Sequence, residues 1–168
     1  MNKAIFLDRD GTINVDKGYL YKPEDFEFID GVPEAIKKMH ELGYLVIVIT
    51  NQSGVARGYY TENDIEILHQ YIDAKLNGYG TWIDAYYYCP HHPKAIISSY
   101  RKECSCRKPN NGLFKRAMQE WNINPRASWA IGDKERDIEP ARNLNIKTVL
   151  ISKDMQLKDC VKEYLYDS

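Results

Sequence analysis

The chain has 168 residues, of which 43% are hydrophobic and 28% charged, and its formal net charge is −1 at pH 7. This length predicts a single domain over residues 1–168 and leaves little room for a second one. The balanced charge argues against a nucleic-acid-binding protein, and no apolar run approaches the ~20 residues that span a bilayer. The first residues show no signal peptide, so we expect a cytoplasmic location.

Apolar strands alternate with amphipathic helices along the chain. Residues 4–7 and 44–49 are continuous apolar runs typical of strands covered on both faces, and a helix over 32–42 joins them. The next predicted elements are a helix at 61–77, a strand at 82–88, a helix at 113–121, a strand at 129–131, a helix at 138–144, a strand at 148–151 and a helix at 155–164. This order predicts an α/β fold, a Rossmann-like three-layer α/β/α arrangement around a central parallel sheet.

Three irregular stretches, residues 14–30, 52–60 and 89–111, separate these elements. Loops of this length in a compact domain are usually functional. The chain length leaves no space for a separate cap domain between the motifs described below. We therefore expect the loops to select the substrate.

Two carboxylates, Asp8 and Asp10, follow the first strand at a spacing of two residues. Residues at this spacing in an extended chain point to the same side, and Gly11 permits a sharp turn directly afterwards. Paired carboxylates repel each other unless a cation offsets them, and their oxygens suit Mg²⁺. An isolated Asp-Arg-Asp-Gly segment could equally be a solvated turn, so other parts of the chain must decide.

Polar residues also follow two further strands. The second strand ends in Thr50-Asn51-Gln52-Ser53-Gly54, and residues 132–137 (GDKERD) follow the predicted strand at 129–131. Each segment alone could be a simple turn or a helix N-cap. Because the carboxyl ends of parallel strands share one edge of the sheet, we expect them to converge with Asp8 and Asp10. Carboxylates, a hydroxyl and a nearby lysine are the groups that phosphoryl transfer requires.

Four soft or borderline metal ligands lie in the third irregular stretch. Cys89, His91, Cys104 and Cys106 form the pattern C-x-H-x12-C-x-C, which suits a closed, structural Zn²⁺ site. Reduced core cysteines are the alternative, and His92 competes with His91 as the fourth ligand. A zinc-stabilised loop over 89–106 would position the two cationic residues that follow it.

The combined motifs resemble the haloacid dehalogenase superfamily of aspartate-nucleophile phosphatases over nearly the whole chain. Within it, four segments resemble the heptose-bisphosphate phosphatases of bacterial surface-polysaccharide synthesis, which are related to histidinol phosphatases. They are residues 7–14 (LDRDGTIN), 48–54 (VITNQSG), 89–92 with 104–109 (CPHH and CSCRKP), and 132–137.

The resemblance implies a role for each motif residue. Asp8 is the expected nucleophile, and Asp10 the expected acid and base for the leaving alcohol and the attacking water. Thr50 and Lys108 are expected to hold the transferring phosphoryl group. The expected Mg²⁺ ligands are Asp8, Asp133 and the backbone carbonyl of Asp10, with Asp137 orienting the region of Asp133 and Lys134. Further expected substrate contacts are Asp16, Lys17, Gly18, Tyr19, Asn51, Gln52, Ser53, Arg107 and Lys134.

The resemblance further implies an Mg²⁺-dependent phosphatase with a structural Zn²⁺, acting on a small sugar bisphosphate. The sequence has no heptad pattern and no basic or membrane-spanning segment, so we expect a monomer that requires neither nucleic acid nor membrane. The expected reaction removes the 7-phosphate of D-glycero-D-manno-heptose 1,7-bisphosphate in lipopolysaccharide precursor synthesis. Histidinol phosphate or another small sugar phosphate is the alternative substrate. More distant alternatives are a polynucleotide 3′-phosphatase and a non-catalytic zinc-binding module. Three residues receive no functional role here: Cys160 is assigned to the core, and His40 and His69 to helix surfaces.

Overall fold

The computed structural model describes residues 1–166 and contains a five-stranded, fully parallel sheet in the order β3-β2-β1-β4-β5. The strands are β1 Ala4–Leu7, β2 Leu45–Asn51, β3 Ala85–Cys89, β4 Trp129–Gly132 and β5 Lys147–Leu150. The helices are α1 Val32–Glu41, α2 Glu62–Asn77, α3 Gly112–Glu120, α4 Glu135–Arg142 and the short α5 Leu157–Cys160, which continues as a π-helical turn over Val161–Leu165.

Side chains of the strands alternate between two apolar cores, one on each face of the sheet. Ile5 and Leu7 of β1 belong to the core that α1, α2 and α5 cover. Ala4 and Phe6 belong to the opposite core, which α3 and α4 cover. Burial on both faces explains why these strands are continuously apolar. The three-layer α/β/α prediction is confirmed.

The register of the central strands brings their carboxyl ends together. Leu7, the last residue of β1, lies beside Val48 of β2 and Ile131 of β4. The residues that follow these positions therefore emerge at one edge of the sheet. No cap domain lies over this edge in residues 1–166; the connecting loops border it instead.

Two elements begin three residues away from the starts predicted from the sequence. β3 begins at Ala85, because Asp84 directs its carboxylate to the Val46 amide (2.8 Å) and to the His40 ring (2.9 Å). α4 begins at Glu135 rather than 138, because the Asp137 carboxylate accepts a hydrogen bond from the Lys134 amide (3.1 Å) and caps the first turn.

The prediction that His69 lies on a helix surface is wrong. Its side chain is buried on the inner face of α2, beside Leu68 and Ile72. His40 is also largely enclosed, since its ring stacks on Trp82 at 4.1 Å between centroids. Within the part of the chain described here, every helix is too short or too polar to cross a membrane.

Candidate active site

The turn after β1 places Asp8 and Asp10 at the carboxyl edge of the sheet. The Asp8 amide donates to the Ile131 carbonyl (3.2 Å), which ties the start of the turn to β4. Gly11 has φ +88°, and a Cβ there would overlap the Asp133 carboxylate. Glycine is required for both reasons, and its absence of a side chain lets the β1 turn and the β4 loop approach closely.

A buried lysine lies beneath Asp8. The Lys108 ammonium contacts Asp8 Oδ1 (2.9 Å), Asp137 Oδ1 (2.9 Å) and the Ile49 carbonyl (2.8 Å), and the residue is 2% exposed. Its three N–H donors are thus all used. Burial raises the pKa of Asp8, and the Lys108 charge opposes that rise. Lys108 therefore has the position expected of a group that neutralises charge at the nucleophile.

Asn51, the last residue of β2, fixes the backbone of Lys108. The Asn51 side chain accepts from the Lys108 amide (2.9 Å) and donates to the Lys108 carbonyl (3.1 Å). This pair of hydrogen bonds joins segments 57 residues apart in the chain. Asn51 lines the cleft, and its amide is already engaged in positioning the lysine.

Asp10 is enclosed by hydrogen-bond donors. Asn14 Nδ2 donates to Oδ1 (3.0 Å), Gln52 Nε2 donates to Oδ2 (3.2 Å), and the Arg9 guanidinium contacts both oxygens at 3.3 Å. Burial by itself would raise the pKa of Asp10, but Arg9 and these hydrogen bonds hold it below its usual value. The carboxylate is fixed in orientation beside Asp8.

Gln52 connects Asp10 to the end of β2. Its amide also donates to Thr50 Oγ1 (3.0 Å), and its carbonyl accepts from the Tyr60 hydroxyl (2.5 Å). The side chain is 2% exposed. Gln52 lines the cleft as a predicted contact residue, but its polar atoms are engaged in holding Thr50 and Asp10.

Three carboxylates could hold a divalent cation. Oxygens of Asp8, Asp133 and Asp137 lie within 4.8 Å of one another. Asp133 Oδ1 is buried and has no hydrogen-bond partner among the described residues, as expected for a metal ligand. Asp137 is less suitable, because its oxygens already accept from Lys108 and from the Lys134 amide. The donor set fits Mg²⁺; the predicted ligation by the Asp10 carbonyl stays a prediction.

A cleft of about 320 Å³ opens above these residues, a size suited to a small phosphorylated molecule. It is lined by Asp8, Asp10, Asp16, Gly18, Tyr19, Thr50, Asn51, Gln52, Ser53, Arg57, Tyr60, Arg107, Lys134, Arg136 and Asp137. Two predicted contacts, Lys17 and Lys108, lie outside this lining. The Lys17 ammonium donates to the Asp25 carbonyl (2.8 Å), and the Lys108 ammonium is engaged beneath Asp8.

Sequence reasoning missed Arg57, Tyr60 and Arg136 as lining residues. The first two belong to the irregular stretch 52–60, and Arg136 lies inside the GDKERD segment. Their position in segments that the sequence marks as functional was the available signal. Loop conformation then decides which side chains of these segments face the cleft.

The four predicted zinc ligands converge beside the cleft. The Cys89, Cys104 and Cys106 sulfurs lie 2.6–3.3 Å apart without disulfide bonds, and His91 Nδ1 is 3.4 Å from Cys106 Sγ. His92 lies outside the cluster, and its Nδ1 accepts from the Lys94 amide (3.0 Å). Three thiols and an imidazole nitrogen match a closed tetrahedral zinc shell. Local geometry thus favours His91 over His92.

Carboxylates and a buried ammonium lie at one edge of a parallel sheet, beneath a cleft that is lined in part by cationic side chains. This arrangement is typical of phosphohydrolases of the haloacid dehalogenase (HAD) class. A family model described as HAD-hydrolase-like matches residues 105–165.

Known proteins define the membership more narrowly. The D-glycero-beta-D-manno-heptose-1,7-bisphosphate 7-phosphatase of Haemophilus ducreyi is 44% identical over 150 residues, covering 89% of this chain and 82% of that protein. The Salmonella typhi protein of that name is 45% identical over 148 residues, covering 88% of this chain and 79% of that protein. The crystal structure of D,D-heptose 1,7-bisphosphate phosphatase from B. bronchiseptica, complexed with magnesium and phosphate, superposes with a TM-score of 0.86 at 25% identity, covering 99% of each chain.

The chain belongs to the heptose-bisphosphate phosphatase family of the HAD superfamily. The resemblance stated from its motifs is confirmed, and the protein is a phosphomonoester hydrolase.

Proposed function

We propose that the protein removes the 7-phosphate of D-glycero-D-manno-heptose 1,7-bisphosphate, with Mg²⁺, in the synthesis of surface-polysaccharide heptose precursors. The observation that carries this proposal is that the cleft brings together two sets of groups suited to phosphate. Asp8 and Asp10, with Lys108 beneath Asp8, form what we call the reaction end, and Arg57, Arg107 and Arg136 add an arginine cluster to the lining. A bisphosphate has one phosphate for the reaction end and a second phosphate for the arginine cluster.

The reaction end supports a two-step displacement. Asp8 forms a bond to phosphorus while the bond from phosphorus to the sugar oxygen breaks, and Asp10 in its protonated form supplies the proton that the leaving alcohol requires. Asp10 then takes a proton from water, which attacks the aspartyl-phosphate and releases inorganic phosphate. Thr50, which lines the cleft, holds a phosphoryl oxygen, and the Lys108 ammonium beneath Asp8 neutralises charge at the nucleophile throughout. Asp8 and Asp133 would hold Mg²⁺, which would neutralise charge between the nucleophile and the phosphate.

The arginine cluster supports recognition of the phosphate that is not cleaved. Arg57 Nε and Arg107 Nη1 are buried and lack hydrogen-bond partners in the described structure. Burial and the nearby charges of Arg136 and Arg57 lower the pKa of Arg107. An anion bound between these side chains would offset their mutual repulsion and give the buried guanidinium a charged hydrogen-bond partner. A guanidinium can bind two oxygens of one phosphate. Three arginines in addition to the reaction end therefore favour a substrate that carries a second phosphate.

Turnover of both anomers of heptose 1,7-bisphosphate, of heptose 7-phosphate and of histidinol phosphate tests this assignment. We expect kcat/KM to be highest for a bisphosphate anomer. Arg107→Met should lower kcat/KM for that bisphosphate by about 100-fold and for heptose 7-phosphate by about threefold or less, because only the former loses a charge-assisted contact.

Exposed Arg126→Met, which lies outside the cleft lining, serves as the matched control and should leave both substrates unaffected. Equal losses for the two substrates in Arg107→Met would contradict the role of the cluster. Equally poor turnover of all four substrates by the wild type would contradict the substrate assignment.

We also propose that Cys89, His91, Cys104 and Cys106 hold a structural Zn²⁺. The site has no place for substrate, but Arg107 follows Cys106 directly, so the metal would act by fixing the loop. The unbridged thiols support a reducing, cytoplasmic location. The protein is proposed to act as a monomer on a small molecule, without nucleic acid or membrane.

Cys106→Ala should release zinc and lower kcat/KM by about 10- to 100-fold, because the loop that carries Arg107 and Lys108 loses its anchor. Metal content by mass spectrometry and turnover measure the two effects. Cys160→Ala is the matched control: this cysteine is buried in α5, outside the cluster, and its removal should change neither. Zinc-free protein with full activity would refute the proposal.

A further inference from the structure

Arg9, between the two aspartates of the first motif, is a fully buried charge. Its side chain is 1% exposed, whereas arginine side chains usually reach solvent. The guanidinium contacts Asp10 through Nε and Nη2 at 3.3 Å and donates from Nη2 to the Leu20 carbonyl (3.1 Å). It therefore reaches Asp10 from inside the protein, on the side away from the cleft, and lies outside the cleft lining.

His69 completes the contacts of Arg9. Arg9 Nη1 lies 3.2 Å from His69 Nε2. Because a guanidinium can only donate, Nε2 must be the acceptor, and the proton of the neutral ring lies on Nδ1. Burial and the Arg9 charge lower the pKa of His69 to about 3, so the ring is neutral at pH 7. Its face stacks on Tyr86 at 4.1 Å between centroids, which holds the acceptor in place.

We propose that Arg9 and His69 are positioning residues for Asp10, with the neutral imidazole holding the guanidinium so that it presents the carboxylate to the leaving oxygen. The inference rests on the proposed mechanism, in which Asp10 transfers the proton. Asp10 can rotate about its own side-chain bonds, and proton transfer requires a fixed donor within hydrogen-bond reach. The guanidinium is held at the Leu20 carbonyl and at His69, so it supplies a fixed charged contact that orients the carboxylate together with Asn14 and Gln52.

If the Arg9–His69 pair were purely structural, its loss would lower kcat/KM equally for all substrates. If the pair positions Asp10, the loss should depend on the leaving group of the substrate. An alkyl alcohol needs a proton as it departs, but a nitrophenol leaves as a stable anion without one. Because kcat/KM reports the step that breaks the phosphorus–oxygen bond, it should separate these cases.

His69→Leu removes the acceptor and keeps an apolar side chain in the core. We expect kcat/KM for an alkyl phosphate, heptose 7-phosphate, to fall about 10- to 100-fold, and that for 4-nitrophenyl phosphate to fall about threefold or less. His69→Gln supplies an amide oxygen that can accept from Arg9, and it should recover the alkyl activity to within about threefold of wild type.

Tyr87→Phe is the matched control. The Tyr87 ring lies in the core on the other face of the sheet, and the change removes only its hydroxyl contacts with Glu120 and Trp121, so both rates should stay unchanged. Each of three outcomes would overturn the proposal. His69→Leu could lower kcat/KM equally for the two substrates, or it could fold and leave both values unchanged. His69→Gln could fail to recover the activity toward the alkyl phosphate.

Ring-nitrogen NMR of His69 provides a readout that needs no turnover and so separates this inference from the proposed substrate. A neutral ring protonated on Nδ1 is expected in the wild type. A ring protonated on Nε2 would overturn the inference even if the heptose bisphosphate were hydrolysed, because Nε2 could not then accept from Arg9.

Discussion

Asp8→Asn should lower kcat for the heptose bisphosphate by about 10⁴-fold or more. The amide has the size of the carboxylate and can still accept a hydrogen bond from Lys108, but its oxygen is a poor nucleophile. Phosphomonoesters are among the slowest compounds to hydrolyse unaided, so no neighbouring group can replace the missing attack. Steady-state phosphate release measures the loss, and acid-quenched samples should contain no covalent phosphoenzyme.

Asp154→Asn is the matched control, since this exposed aspartate lies outside the cleft and the carboxylate cluster and should tolerate the same chemical change. Circular dichroism should show both variants folded. Turnover by Asp8→Asn within about tenfold of wild type would mean that a different group attacks phosphorus.

Lys108→Met should reduce both catalysis and stability. We expect kcat to fall by about 10³-fold, because the transferring phosphoryl group loses a fixed cation. We also expect the free energy of unfolding, measured by urea titration without Mg²⁺, to fall by about 3 kcal/mol. The physical reason is that Asp8 and Asp137, each 2.9 Å from the ammonium, are left buried without their shared cation.

The double variant Lys108→Met/Asp137→Asn separates the two effects. Removing one of the two uncompensated carboxylates should restore part of the lost stability, whereas the activity should stay as low as in the single variant. If Lys108→Met were as stable as wild type, the buried charge network would not contribute to folding as its geometry indicates.

We expect the loops around the cleft to determine the substrate specificity of this small protein. In residues 1–166 no separate domain covers the cleft, and its lining includes Gly18 and Tyr19 from one loop and Arg57 from another. The Tyr19 and Tyr59 rings meet edge to face at 4.9 Å, and Arg57 lies 5.6 Å from the Tyr19 ring centre. The sugar would therefore be bounded by groups that loop conformation alone brings together.

The amino-acid pattern was sufficient for the fold and for the reaction end of the site. Residues 4–7 were predicted as a strand with the bounds that the structure has, because a strand buried on both faces must be continuously apolar. Asp8, Thr50 and Asp133 could be expected to meet, because parallel strands direct their carboxyl ends to one edge.

Tertiary packing alone decided the remaining features. His91 and His92 are adjacent and chemically identical, and only the path of the loop places His91 among the cysteines. His69 lies at helical spacing from the buried Ile65 and Ile72, so periodicity was compatible with its burial, but no local pattern revealed that it faces the buried Arg9. Arg57 and Arg136 are separated by 79 residues, yet both line the cleft. Contacts between distant loops depend on the packed fold, so a local sequence pattern cannot predict them.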